Sequence, residues 1–306
     1  MEMSYAEKGP SFETPGPVRL RVDNPAGRVA VTTWDRPVTE VELTALDPGA
    51  EDLVDETRME AHQLGEVFEV TIHVPRRSGL RARHSEVGVA VRIPHGLDLG
   101  VETASADVEA GGRYARVEVK TASGDVAVDR VEGEARLRTA SGDIRLAEAA
   151  GQLRGQSASG DQWYDRIGGQ AEVESASGDI RAGRAGQRLE VRAASGDVRV
   201  GTALSDLSVR TASGDQRIDC ATEGEVGLQS VAGDIAVAIA RGTTLAVDAQ
   251  SMTGDTSSEI PLSDTPGGEG GPGSGSGDGE DRFLALRART VSGDISIRRA
   301  PGEGSS

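Results

Sequence analysis

Apolar and polar residues alternate along most of this chain, and the alternation is punctuated at regular intervals. Val117, Val119 and Thr121 share one parity, with Glu118 and Lys120 between them. The order recurs at Ala171, Val173 and Ser175, at Leu189, Val191 and Ala193, and at Leu207, Val209 and Thr211. A Ser-Gly-Asp turn follows each run, and then a second alternating run begins, such as Val126 and Val128 or Ile144 and Leu146. Period two over this length predicts strands with one buried face.

The marker aspartates are Asp107, Asp125, Asp143, Asp161, Asp179, Asp197, Asp215, Asp234, Asp255 and Asp294. Their first six intervals are 18 residues and the rest are 19, 21 and 39. A second break falls midway between markers, at Gly133, Gly151, Gly169, Ser205 and Gly242. Glycine supplies positive φ at such turns, and Ser and Asp side chains bond nearby backbone N–H groups. Strand, turn, strand, turn fits either an antiparallel meander or a solenoid. Near-identity of every second turn favours the solenoid, because each position then sits on its own equivalent and the same residue solves the same problem in each coil. The predicted fold is therefore all-β: a parallel β-helix-like solenoid of 18-residue coils with two strands per coil. Ten coils at about 4.8 Å each would make a stack about 50 Å long.

Stacked aspartates repel. Arg145, Arg181, Arg199 and Arg217 stand two residues after a marker, on the same outward parity, and are expected to offset that repulsion. Each exposed pair contributes only about 0–1 kcal/mol.

Leu20, Val22 and Asn24 lead into Gly27-Arg28-Val29, so the repeat starts near residue 18 with Arg28 in the marker position. Residues 1–17 read as a tail, and 18–98 as an atypical β capping region holding that degenerate first repeat. A cap is what a solenoid end requires. Thr39 to Leu46, Val67 to Val74 and Glu86 to Ile93 alternate like strands, and Glu51 to Met59 could hold a short helical turn. The solenoid proper spans 99–260. Residues 261–281 are Gly/Ser-rich and acidic; such a composition cannot offset its ordering entropy, so a disordered insert is expected. A last coil at 282–299 and a tail at 300–306 follow.

Composition narrows the function. The net charge is −17, from 33 basic and 50 acidic residues, which argues against nucleic acid or an anionic membrane as partner. Aromatic residues make up 3%, so the core should be thin and lined by Val, Leu, Ile and Ala. Cys220 is the single cysteine, which excludes an intrachain disulfide. The first residues lack the features of a signal peptide, and no apolar run is long enough to span a membrane, so a soluble, cytoplasmic protein is expected.

Candidate chemistry is sparse. The aspartates Asp125, Asp143, Asp161, Asp179, Asp197 and Asp215 could hold Ca²⁺ between coils, but each turn carries one carboxylate and the ion wants six to eight oxygens, so a structural turn is the stronger reading. His62, His73, His84 and His95 fall in separate strands and loops without a companion cysteine. No catalytic or cofactor fingerprint occurs, and a serine repeated over ten near-equivalent turns does not make one active site, so neither catalytic residues nor a cofactor are assigned. Arg76, Arg77, Arg81, Arg83 and His84 form a basic loop suited to an acidic partner or simply to solvent. Trp163 and Tyr164 replace the usual Arg and aliphatic residue in one coil, beside Gln162 in place of Val or Ile. This breaks the arginine row and offers a contact site, unless it is a local packing variation.

The run VRIPHGLDLGVETASADVEA (Val91–Ala110), followed by TASGDVAV and TASGDIRL, resembles the DUF4097 family of bacterial β-strand-repeat proteins, often labelled adhesins. NPAGRVAVTTWD, Asn24–Asp35, is similar to that family's opening element, and the resemblance covers roughly residues 15 to 300. It implies a β-solenoid-like fold without catalytic activity. The expected function is a non-enzymatic scaffold for interaction with an unidentified protein or for self-assembly. An adhesin-like surface or carbohydrate-binding protein and a Ca²⁺-stabilised β-roll are the alternatives.

Overall fold

The computed structural model describes residues 6–76, 85–260 and 282–301. The expected insert and most of the basic loop, Arg77 to His84, lie outside them. The chain divides into two units, Met1–Gly178 and Asp179–Ser306.

The first unit begins with β1 (Ala6–Glu13), β2 (Val18–Asn24), β3 (Gly27–Trp34) and β4 (Val38–Ala45). A one-and-a-half-turn helix, α1 (Glu51–Glu56), follows, then β5 (Arg58–Leu64), β6 (Val67–His73), β7 (Val87–Pro94), β8 (Leu97–Thr103) and β9 (Asp107–Lys120). The repeats add β10 (Val126–Val131), β11 (Ala135–Thr139), β12 (Ile144–Ala149), β13 (Leu153–Ser157), β14 (Gln162–Ile167) and β15 (Ala171–Ser177). Strands that follow a marker stack in parallel in one layer, β3–β9–β10–β12–β14. Strands that precede a marker stack in the other, β2–β8–β9–β11–β13–β15. The register is one coil per step: Ala127, Arg145 and Trp163 align, as do Val128, Leu146 and Tyr164. This is the predicted solenoid, with rows of Val, Leu, Ile and Ala buried between two layers.

Strand β9 serves both layers because it bends at Gly111-Gly112. Gly112 has φ 103°, its N–H donates to Asp129 Oδ2 at 2.8 Å, and a side chain there would collide with the Thr33 hydroxyl. Past the bend, Tyr114 turns inward, fully buried, and its hydroxyl donates toward the carbonyls of Val31 at 2.8 Å and Gly111 at 3.0 Å. Burial, reinforced by the Asp129 charge, pushes its phenol above the usual range.

The start of this unit departs from sequence order. Strands β6 and β7 form a coil on the far side of β2 and β3, which precede them in the chain. Two antiparallel additions then cover that coil: β4 pairs with β7 and β1 with β4, while β5 pairs with β6. Helix α1 buries Leu53, and Ala50 before it is also buried. The outermost strand β1 carries Pro10 and a register shift between Lys8 and Ser11, both features that blunt a sheet edge.

The second unit contains β16 (Ile180–Ala185), β17 (Leu189–Ser195), β18 (Val198–Ala203), β19 (Leu207–Ser213), β20 (Gln216–Ala221), β21 (Gly224–Ala232) and β22 (Ile235–Ile239). Then come β23 (Thr244–Thr253), β24 (Thr256–Ser258), β25 (Phe283–Ser292) and β26 (Ile295–Arg299). One layer runs β16–β18–β20–β22–β26–β24 and the other β17–β19–β21–β25–β23, all parallel. The coil at 282–299, last in sequence, is therefore not last in space. It slots between the coil ending in β22 and the coil of β23 and β24. The terminal coil of the stack is the one that precedes the insert.

Candidate functional site

The Ser-Gly-Asp turns are the most repeated feature, and the geometry explains each residue. In the first unit the hydroxyl four residues before the marker accepts the glycine N–H: Thr121 from Gly124 at 2.9 Å, Thr139 from Gly142 at 2.8 Å and Ser157 from Gly160 at 2.8 Å. Glycine was expected for its positive φ. That holds in the second unit, as at Gly214 with φ 125°, but Gly124, Gly142 and Gly160 are not in that region. There the requirement is close approach, since a Cβ on Gly142 would collide with the carbonyl of Gly124 one coil below.

The marker aspartates form a ladder. Asp107 Oδ1 accepts the backbone N–H of Asp125 at 3.0 Å, Asp125 that of Asp143 at 2.9 Å, and Asp143 that of Asp161 at 3.0 Å. In the second unit Asp179 accepts from Asp197 at 3.0 Å, Asp197 from Asp215 at 2.9 Å and Asp215 from Asp234 at 2.9 Å. The ladder follows the spatial order of coils, Asp234 accepting from Asp294 and Asp294 from Asp255, both at 2.8 Å. Each of these accepting carboxylates is thus held by a donor from the next coil, and a hydrogen bond to a charged group contributes about 1.5–3 kcal/mol. The six aspartates weighed as Ca²⁺ ligands belong to this ladder, and among the described residues no three His, Cys, Asp or Glu side chains converge as a metal site.

The arginine row offsets the aspartates only in part. Arg145 reaches Asp143 at 3.1 Å and Arg181 reaches Asp179 at 3.0 Å. Arg199 and Arg217 do not pair with their own markers. Both converge on Asp219, two residues after Arg217, at 2.9 and 2.8 Å. Burial pushes the Asp219 carboxyl up, but the hydrogen bonds from Arg217 and Arg199 outweigh it and hold it below the ordinary range. Elsewhere opposite charges alternate along the stack, as where Glu148 lies between Arg130 at 3.3 Å and Arg166 at 3.2 Å. Arg154 and Glu172 pair across one coil in the same way.

The two aromatic candidates of one coil separate. Tyr164 is not a contact residue. It occupies the aliphatic position of its coil, is fully buried, and donates to Gln162 Oε1 at 2.7 Å. Gln162 is itself buried and its amide donates to the Glu174 carbonyl at 2.8 Å. Gly155 makes the space, since a Cβ there would collide with the Tyr164 hydroxyl. Burial pushes that phenol far above its usual range. The substitution is therefore a paired polar insertion into the core. Trp163 points outward and is half-buried, with the Arg145 guanidinium over its ring at 4.5 Å. A shallow hollow beside it is lined by Ala127, Ala147, Asp129 and Asp165.

The histidines stay apart. His62 lies 3.2 Å from Glu60 and His73 lies 3.0 Å from Asp23, while His95 bridges the Thr33 hydroxyl at 2.6 Å and Asp35 at 3.2 Å. Arg76 lies 3.6 Å from Asp23. His84 falls outside the described residues. Cys220 is half-buried in β20, aligned with Thr202. No helix among the described residues is long and apolar enough to cross a membrane.

A further feature had no isolated sequence signal. The residue between the Thr/Ser hydroxyl and Ser-Gly-Asp is alanine in most coils but becomes Val231, Val291 and Met252 in the last three of the second unit. These align one coil apart and are 56%, 45% and 81% exposed. With Phe283 they account for four of the six exposed large apolar side chains among the described residues. Comparing each coil with its neighbours at this one position would have found them.

No curated protein matches the chain. Among solved structures, a candidate adhesin from Parabacteroides merdae ATCC 43184 aligns over 95% of both chains with 12% identity and a TM-score of 0.37. A candidate adhesin from Bacteroides fragilis NCTC 9343 covers 97% of this chain and 98% of its own, with 8% identity and a TM-score of 0.32. A candidate lipid-binding protein from Parabacteroides distasonis ATCC 8503 covers 97% of each, with 11% identity and a TM-score of 0.30. The sequence profile of the Toastrack DUF4097 family matches residues 65–203 and again 185–298, most of the repeat region. The chain belongs to the Toastrack DUF4097 family.

Proposed function

We propose that this protein is a non-enzymatic β-repeat scaffold that binds protein through the outer surface of its last coils. The observation that carries this reading is the exposed row Val231, Val291 and Met252, held rigidly one coil apart. Contiguous exposed apolar surface is uncommon unless it is covered in use. Rigid coils hold such a row in register at little ordering cost on binding. The test is a photo-crosslinking side chain placed at Val291 in living cells. Expected is a discrete adduct absent when the same group stands at Ala122, the equivalent turn position in an early coil. Equal labelling at the two positions would overturn the reading.

A second reading, glycan binding, rests on the hollow beside Trp163, where an indole, a guanidinium and two carboxylates surround a floor of small residues. The Arg145 guanidinium already covers one indole face, which leaves its edge for a sugar. Binding on a glycan array that Trp163→Ala abolishes is the expected result for this reading; an array without signal removes it.

A further inference from the structure

The last coil of the second unit is incomplete in a specific way. In the coils below it, the first inward residue of each strand donates its N–H to the next coil: Leu189 to the Asp206 carbonyl at 3.0 Å, Ile235 to Asp294 at 2.8 Å and Ile295 to Asp255 at 2.9 Å. In the last coil the residues of that parity are Leu245, Val247 and Ala249 on β23 and Thr256 on β24, and no described strand lies beyond them. Asp255 donates its N–H down the ladder to Asp294, but no further marker lies above it to fill its own Oδ1. The inward row is also less covered than in the coils below. Leu284, Leu286 and Ala288 on β25 are at most 1% exposed, whereas Leu245, Val247 and Ala249 are partly exposed.

This edge is half closed by its own sequence. On β24 the inward positions are Thr256 and Ser258 rather than Val or Ile, and Ser258 turns back to bond Ile260. A polar outer face is what a terminal repeat needs. On β23 the aliphatic row persists. It ends beside Met252, with Phe283 on the opposite corner one coil below.

We infer that β23 pairs with β23 of a second copy of this chain, antiparallel across a two-fold axis normal to the two layers. The inference rests on the interaction reading above and names its partner. Three observations favour a second copy. The edge offers the same backbone ladder and aliphatic row that join the coils within the unit, and a two-fold makes that surface its own complement. The chain's own residues 261–281 hold Leu262 as their one large apolar residue, so they cannot supply a matching row. The start of the first unit offers no such match, because Pro10, the irregularity in β1 and the antiparallel β5 have altered its edge.

Parity selects the register. Inward residues with N–H and C=O on the edge must face each other, so Val247 meets Val247 of the other copy and Leu245 meets Ala249. Asp248, held by Arg289 at 3.2 Å, then faces Ala246 of the other copy, and no two carboxylates meet. Met252 of each copy is carried toward the corner that holds Phe283 of the other.

The test is sedimentation velocity or native mass spectrometry on the full chain at micromolar concentration. Expected is a dimer that Val247→Lys weakens about tenfold or more, while Leu64→Lys on the β5 edge leaves it unchanged. If Val247→Lys does not fold, Ala246→Glu is exposed and tests the register, because it sets a second carboxylate against Asp248 across the axis. It is expected to weaken the dimer comparably. A strict monomer overturns the inference, as does a dimer that withstands Val247→Lys and Ala246→Glu or one lost with Leu64→Lys. A monomer that still crosslinks to another protein at Val291 would sink this proposal and leave the interaction reading standing.

Discussion

At the start of the first unit, β4 lies antiparallel on β7 and β5 on β6. In the last coil of the second unit, β23 has β25 on one edge and no described strand on the other. Both regions face the same requirement, because a parallel coil ends in a row of unpaired N–H and C=O groups and a cross-section of apolar core. The first region meets it by changing strand direction, which ends the repeat's own register. The second meets it by composition alone, replacing aliphatic residues with Thr256 and Ser258 in one layer while leaving Leu245, Val247 and Ala249 in the other. The contrast teaches that a solenoid can be stopped by geometry or by polarity, and that polarity applied to one layer leaves the other able to continue.

The sharpest way to break this comparison is to hollow the core at matched positions. Leu286→Ala, in a fully buried site on β25, is expected to cost about 2–5 kcal/mol. Leu245→Ala on the aligned position of β23 should cost less than that when measured where the chain is monomeric, since part of its surface already meets water. Equal losses in denaturant unfolding would show that the last coil is as closed as the rest.

The aspartate ladder gives a second matched pair. Asp197→Ala leaves the Asp215 N–H without its acceptor and should cost about 1–3 kcal/mol. Arg199 pairs with Asp219 rather than Asp197, so that loss reports the ladder and not an ion pair. Asp255→Ala removes a carboxylate that caps no further coil, and its effect should stay within about 0.5 kcal/mol. A drop in melting temperature at Asp255 as large as at Asp197 would contradict the end position of Asp255.

Hydrogen exchange should rank the two regions without any substitution. Where the chain is monomeric, amides of β23 and β24 are expected to exchange faster than those of β7, whose two edges are both paired. Indistinguishable protection there would mean that something other than a second copy covers β23. Protection of β23 gained only where sedimentation shows a dimer would identify the second copy as its cover.

The smallest expected effect is electrostatic. Asp219 has a lowered pKa in the folded chain, so its stabilising contribution is present above the unfolded carboxylate value of about 3.9 and is lost as pH falls through the folded value. Asp219→Asn should therefore lower stability at neutral pH, by no more than about 1 kcal/mol for a solvent-screened pair, and the gap should close in acid. A gap independent of pH would assign the loss to packing.

Much of this was legible in the chain itself. Alternation named the inward rows correctly, and it already placed Tyr164 inside, because that residue stands where Leu146 stands one coil earlier. Its ring suggests a contact, but its parity decides where it points. The divided role of the arginines was not legible: Arg199 turns to Asp219, a carboxylate of the neighbouring column, so its partner depends on that column and not on spacing from the marker. The row Val231, Val291 and Met252 carries no local signal, because the three become neighbours only when coils stack.

The sequence by itself determined the coil, meaning its period, its two strands, its turns and the parity of its core, because those depend on contacts between each residue and its own equivalent. The tertiary structure alone decided the order in which coils stack. Strands β6 and β7 lie beyond β2 and β3, and β25 and β26 slip beneath β23 and β24, against the order of the chain. The physical reason is that coils are nearly interchangeable partners. A backbone ladder and a row of aliphatic residues accept any similar neighbour, so the order is settled by how the connecting segments close and by which coil can best tolerate being last.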